Sequence, residues 1–195
     1  MKTFLVFNAI SLLIIFYIVS FINKKKNKHE STAIKRLDND IMKDVPQINK
    51  KLSELVHFNH LPEWINVNGG WGYSIDDAAI ILNDNEFEGV HNEYVFAEFR
   101  SSLEVEIIMK MHFVGFERTE QSLHDYKGKP YDLIKFKVSY LTDEDWNELK
   151  NDYDSHNGFE NDEEGLSQHE QKRNEAIRYY ESGCWIDISH FFGKH

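Results

Sequence analysis

The first pattern along the chain is an apolar run from Phe4 to Ile22, nineteen residues broken only by Asn8, Ser11 and Ser20. Nothing charged lies within it, and as a helix it spans ~28 Å, close to the ~30 Å hydrocarbon core of a bilayer. A helix also satisfies its own backbone groups, as lipid requires. The run therefore predicts a transmembrane helix. A cleaved signal peptide fits less well, because the apolar stretch is too long and Val19-Ser20-Phe21-Ile22-Asn23 lacks small residues at cleavage spacing. Lys24, Lys25, Lys26 and Lys28 follow directly, with Lys35 and Arg36 behind them, against Lys2 before the run. This lysine asymmetry predicts a single-pass membrane protein with its C-terminal domain in the cytoplasm. Residues 1–28 are thus read as anchor and basic juxtamembrane segment.

Beyond the anchor the period changes to that of an amphipathic helix. Ile34, Leu37, Ile41, Val45, Ile48, Leu52 and Leu55 recur every three or four residues. Residues 29–60 are accordingly expected to form a helical connector that packs on the following domain. Pro46 interrupts it, and Asp44 is placed to cap a second helix that takes Pro46 in its first turn. One kinked helix and two consecutive helices fit the pattern equally.

Residues 61–195 read as an acidic α+β domain. A loop runs through Leu61-Pro62 to Asn68-Gly69-Gly70-Trp71-Gly72, its glycines allowing a tight turn that lets Trp64 or Trp71 pack inward. Strands are expected at 78–82, closed by Asn83-Asp84-Asn85, and at 93–100, while 103–112 suits helix or strand. Strands at 116–125 and 131–141 flank Lys127-Gly128-Lys129-Pro130, a hairpin signature. In the second arm Ile134, Phe136, Val138 and Tyr140 face one way and Lys135, Lys137 and Ser139 the other, so one face is wet. Thr142-x-x-Asp145 resembles a capping box for a helix with Trp146, Leu149 and Tyr153 on one face. An acidic loop follows over 154–165. Ser167-x-x-Glu170 is read as the cap of a helix through about Tyr180 ended by Gly183, before a last strand at 185–188. The expected sheet is mostly antiparallel with flanking helices.

Charge narrows the partners. The formal net charge is −11, yet the first 28 residues hold five of the 22 basic residues and none of the 33 acidic ones. The remainder carries 17 basic against 33 acidic residues, a formal −16. Such a field repels nucleic-acid phosphate and attracts cations and basic proteins. Cys184 is the one cysteine, so no intramolecular disulfide forms, which fits a reducing compartment.

Motifs for chemistry are sparse. The glycine loop lacks the Lys-Ser/Thr of a Walker loop and the spacing of a dinucleotide fingerprint. His57-x-x-His60 has helical ligand spacing but no neighbouring carboxylate, and one cysteine cannot build a structural zinc site. Asp152-x-Asp154, with Glu163 eleven residues beyond Asp152, approaches a calcium loop. There the glycine comes one position late and His156 replaces an oxygen ligand, so Asp152, Asp154 and Glu163 are weak metal candidates. Cys184, Asp187 and His190 have the residue types of a thiol triad, but a spacing of three in a strand sends their side chains to opposite faces. Glu93, Glu98, Glu104 and Glu106 supply carboxylates without a fixed pair. No cofactor is implied, and the reading leans away from an enzyme. Leu61-Pro62 with Asn68-Gly69-Gly70 resembles the Leu-Pro…Asn-Gly pattern of the SUKH immunity-protein superfamily only locally. The spacing is much shorter and no matching pattern follows, so no residue role is carried over.

The densest signal is 143–165, with ten acidic residues, one lysine (Lys150) and interleaved rings. Charge for steering and rings for anchoring suit capture of a basic protein. The expected docking residues are Trp146, Tyr153, Phe159, Glu160, Asp162, Glu163 and Glu164. The chain reads as a membrane-anchored, cytosol-facing, non-catalytic binding module, such as an inhibitor or immunity-type protein. The rival is a membrane-tethered enzyme that works its carboxylates through a divalent ion.

Overall fold

The computed structural model describes residues 45–52 and 65–194. The run from Phe4 to Ile22, most of the helical stripe, the His57/His60 pair, Leu61-Pro62 and Trp64 lie outside the described residues. Among the described residues no helix is long and apolar enough to cross a membrane.

Along the chain come two short strands, β1 Val67–Gly69 and β2 Ala79–Ile81, then helix α1 Glu86–Leu103 and a π-helical turn Glu104–Met109. The long strands β3 His112–Tyr126 and β4 Lys129–Leu141 follow. Helices α2 Asp143–Ser155 and α3 Glu163–Ala176 come next, joined through a 3-10 turn at Asn157–Phe159, before the last strand, β5 Arg178–Asp187. One α+β domain results, with a five-stranded sheet in the order β1-β2-β5-β4-β3. Only the β2–β5 pairing is parallel.

The β3–β4 hairpin forms as its alternation predicts. Lys127 and Gly128 both take positive φ, 56° and 78°, the turn whose twist matches that of paired strands. Ile134, Phe136 and Val138 are fully buried, while Lys135 and Lys137 reach the other face. There Lys135 Nζ bonds Glu120 at 2.8 Å and Lys137 Nζ sits 3.7 Å from the centre of the Tyr179 ring. The buried face packs with Ile81, Phe96, Phe99, Leu103, Cys184 and Ile186 in one core. Each such side chain contributes ~1.5–3 kcal/mol by leaving water. A second, smaller core gathers Ile75, Ala78, Leu133 and Trp185 near the hairpin turn.

The glycine loop does what its composition predicts. Trp71 is buried and its Nε1 donates to the Lys50 carbonyl at 2.7 Å. Gly72, at φ +76°, lies where a Cβ would come 2.6 Å from the Trp185 carbonyl oxygen. The loop's amides are already taken: Gly69 donates to Asn68 Oδ1, Gly70 to Ala78, Trp71 to Asp77 Oδ2 and Gly72 to the Asp77 carbonyl. No nest of free N–H groups is left for a phosphate.

Four expectations are corrected. Residues 45–49 have no regular structure, so the helix expected to hold Pro46 in its first turn does not form there, although Val45, Ile48 and Leu52 are buried in the core. The segment 93–100 is the middle of α1, not a strand. Asn85 caps α1 by accepting from the Glu88 amide at 2.9 Å, and residues 92, 93, 96, 97, 100, 101 and 103 turn inward at helical spacing. The acidic segment 154–165 is not one loop. It completes α2, makes the 3-10 turn and begins α3, which Asp162 rather than Ser167 caps, at 2.9 Å from the Gly165 amide. Helix α3 also ends at Ala176. Arg178-Tyr179-Tyr180 opens β5 and Gly183 lies buried inside that strand.

Candidate functional site

Thr142 caps α2 through its hydroxyl, 3.1 Å from the Asp145 amide, and the helix runs back along α3 as an acidic hairpin. Trp146 is 41% exposed and stacks on His112, ring centres 4.7 Å apart. His112 Nε2 in turn meets Asp143 Oδ1 at 2.8 Å. Tyr153 is 46% exposed and rests edge-on against Phe159. Phe159 itself is only 7% exposed. It is held by His156, stacked at 4.8 Å, and by His169 at 5.2 Å. Phe159 is therefore the hairpin's own core and presents no ring to a partner, which corrects its place among the docking residues. Asp162 is the α3 cap, while Glu163 and Glu164 stand exposed in the first turn and Glu160 just before it.

Between the two helices lies an open groove of about 610 Å³, lined by Asp145, Glu148, Asp152 and Glu175 over Leu149 and Ala176. Lys172 is the one basic residue on its walls. Asp152 Oδ2 is 2.8 Å from His169 Nδ1 and 3.6 Å from Lys172 Nζ. The His169 hydrogen bond holds the Asp152 carboxyl below its usual range. Asp154 pairs instead with Lys150, at 2.6 Å. The calcium-like spacing of Asp152, Asp154 and Glu163 thus does not assemble a ligand set. Among the described residues no three His, Cys, Asp or Glu side chains are gathered to hold a metal.

Two buried constellations under α1 are invisible in the sequence pattern. In the first, the Arg100 guanidinium is fully buried and donates to the Trp71 carbonyl at 3.0 Å, Ser182 Oγ at 2.9 Å and the Gly183 carbonyl at 2.7 Å. Its Nε lies 3.0 Å from Glu104 Oε1, and Glu104 Oε2 accepts from the Tyr180 hydroxyl at 2.6 Å. The Tyr73 ring covers the guanidinium at 4.7 Å. Burial is the largest influence on Arg100 and works against its charge, but Glu104 together with Cys184, Tyr73 and Tyr180 outweighs it, so its pKa rises. Burial raises Glu104 as well, against the pull of Arg100. Beside them burial pushes the Cys184 thiol up to about 11, so this cysteine carries no thiolate at neutral pH. Asp187, the nearest acid in the triad-like spacing, is held by Lys129 and the Ser189 amide instead.

In the second constellation Glu93, on α1, and Asp132, on β4, are both buried. The Gln121 side-chain amide, on β3, donates to Asp132 Oδ2 and, at 3.3 Å, to Glu93 Oε2. Gln121 Oε1 accepts from the Tyr94 hydroxyl, which in turn accepts from Arg118 at the surface. The sequence offered Glu93 as a carboxylate but no partner for it. A buried acid at a helical core position, with a second acid at Asp132 ahead of a run of buried residues, is the signal that pairs them.

No family model, characterised protein or solved structure matches this chain.

Proposed function

We propose that this chain is a membrane-anchored, cytosol-facing, non-catalytic binding module whose acidic α2–α3 hairpin captures a basic protein, in the manner of an inhibitor or immunity-type protein. One observation carries the reading: two aromatic rings, Trp146 and Tyr153, stand 41% and 46% exposed on the same hairpin as the acidic groove. Exposed rings beside surplus charge suit a docking face, where rings anchor and charge steers. Lysine or arginine side chains of the partner would enter the groove beside Glu148 and Glu175, their stems lying over Leu149 and Ala176.

The test uses the full chain in a nonionic detergent with a lysine-rich peptide as probe. Changing Glu148, Glu160, Glu163 and Glu164 to Gln should weaken binding and flatten its dependence on salt, because steering scales with opposed charge. Trp146→Ala should cost about tenfold in affinity and leave the salt slope alone. Equal binding by wild type and both variants would overturn the assignment. Peptide binding that requires a divalent ion would favour the enzymatic rival.

A further inference from the structure

We propose that Glu93 and Asp132 share one proton, carried by Glu93 and donated to Asp132, and that this carboxyl–carboxylate bond is a pH-sensitive latch holding α1 on the sheet. The geometry requires a proton there. Glu93 is 0% exposed and Asp132 7%, and neither forms an ion pair among the described residues. Glu93 Oε2 accepts from Gln121, while Oε1 is buried with no hydrogen-bond partner. An ionised Glu93 would bury a full charge on that orphaned oxygen, against a second carboxylate reached by the same Gln121 amide. A neutral Glu93 removes both costs, because its O–H becomes a donor for which Asp132 is the acceptor.

The groups that face the pair are few. Helix α1 adds Tyr94, which bonds Gln121 rather than either acid. Strand β3 adds Gln121, Arg118, which reaches Tyr94 and Gln121, and His124, which favours the charged form of Asp132. From β5 the buried Cys184 thiol senses the Glu93 charge. Burial, then the Asp132 charge, pushes Glu93 up to about 9. Burial raises Asp132 too, but hydrogen bonds from Gln121 and Glu93 and the nearby His124 oppose the rise. Glu93 is therefore the proton carrier of the pair.

A raised pKa in the fold means that the native chain holds a proton the unfolded chain has released. Stability from the latch is fully present below the ordinary glutamate range of about 4.3. It declines as pH rises and is gone above the folded value of about 9. Within that window the wild-type unfolding constant should rise about tenfold per pH unit from this group alone.

Glu93→Gln keeps a donor facing Asp132 but cannot ionise. The ratio of wild-type to Glu93→Gln unfolding constants, measured by urea denaturation of the full chain in nonionic detergent, should grow about a hundredfold from pH 6 to pH 8. Parallel pH profiles would overturn the latch. Carboxyl-carbon NMR of wild type labelled in glutamate gives a second reading that survives a failure of Glu93→Gln to fold. One glutamate carbon should keep its neutral-acid shift at pH 7 and titrate at lower pH in Asp132→Asn. A spectrum with every glutamate ionised at pH 7, or a neutral glutamate indifferent to Asp132→Asn, would also overturn it.

Discussion

Arg100 shows how a single side chain organises this core. Its guanidinium joins the Trp71 loop, the π-helical turn through Glu104, and β5 through Ser182 and Gly183. A buried ion pair of this kind adds little over well-packed apolar residues, yet breaking it leaves the partner's charge uncompensated. Arg100→Met should therefore destabilise the chain by ~3–5 kcal/mol in urea denaturation. Arg100→Met with Glu104→Met should recover most of that loss, because the stranded carboxylate is gone. If the double variant is no better than the single one, the other three acceptors of the guanidinium, not Glu104, dominate the cost.

At the scale of elements, legibility followed the chemistry of the buried face. The β3–β4 hairpin could be read because its inward residues Ile134, Phe136 and Val138 are apolar and its turn is Lys127-Gly128. Helix α2 could be read from Thr142 and Asp145. Helix α1 could not, because Asn92, Glu93, Arg100 and Ser101 occupy its inward stripe, and a search for apolar periodicity passes over them. The aromatic and β-branched cluster Tyr94-Val95-Phe96 then imitates a strand. The start of α3 was misplaced because Asp162 and Ser167 both have the chemistry of a cap, and only the earlier one is used. The candidate site was half legible: its acids and rings stand in the sequence, but the inward turn of Phe159 and the pairing of Glu93 with Asp132 depend on how the chain folds back. Caps and exposed charges should also separate in experiment. Thr142→Ala and Asp162→Ala should each cost ~1 kcal/mol in urea denaturation. Glu160→Gln, which serves no cap, should stay within ~0.5 kcal/mol of wild type.

For the whole molecule the charge is divided along the chain: lysines around the apolar run, acid over the domain. An anionic leaflet attracts the first, at about 1 kcal/mol per lysine. It repels the second only within a Debye length of ~8 Å. If the apolar run anchors the chain as proposed, the domain hangs near the membrane without lying on it. A reporter fused after His195 should be active only in the cytoplasm. Activity on the far side would reverse the orientation, and recovery of a chain beginning near Asn23 would remove the anchor.

Strand β5 lies between β2 and β4, so those two strands meet only through the segment made after both of them. During synthesis the ribosome delivers β2 and the β3–β4 hairpin before the strand that joins them. Until Arg178–Asp187 emerges, Phe96, Phe136 and Ile134 lack the Cys184 and Ile186 surface they finally pack beside, and Arg100 lacks Ser182 and Gly183. From the completion of β4 until β5 emerges, the nascent chain therefore holds its sheet in two unjoined parts with apolar faces open, the state that chaperones recognise and proteases cut.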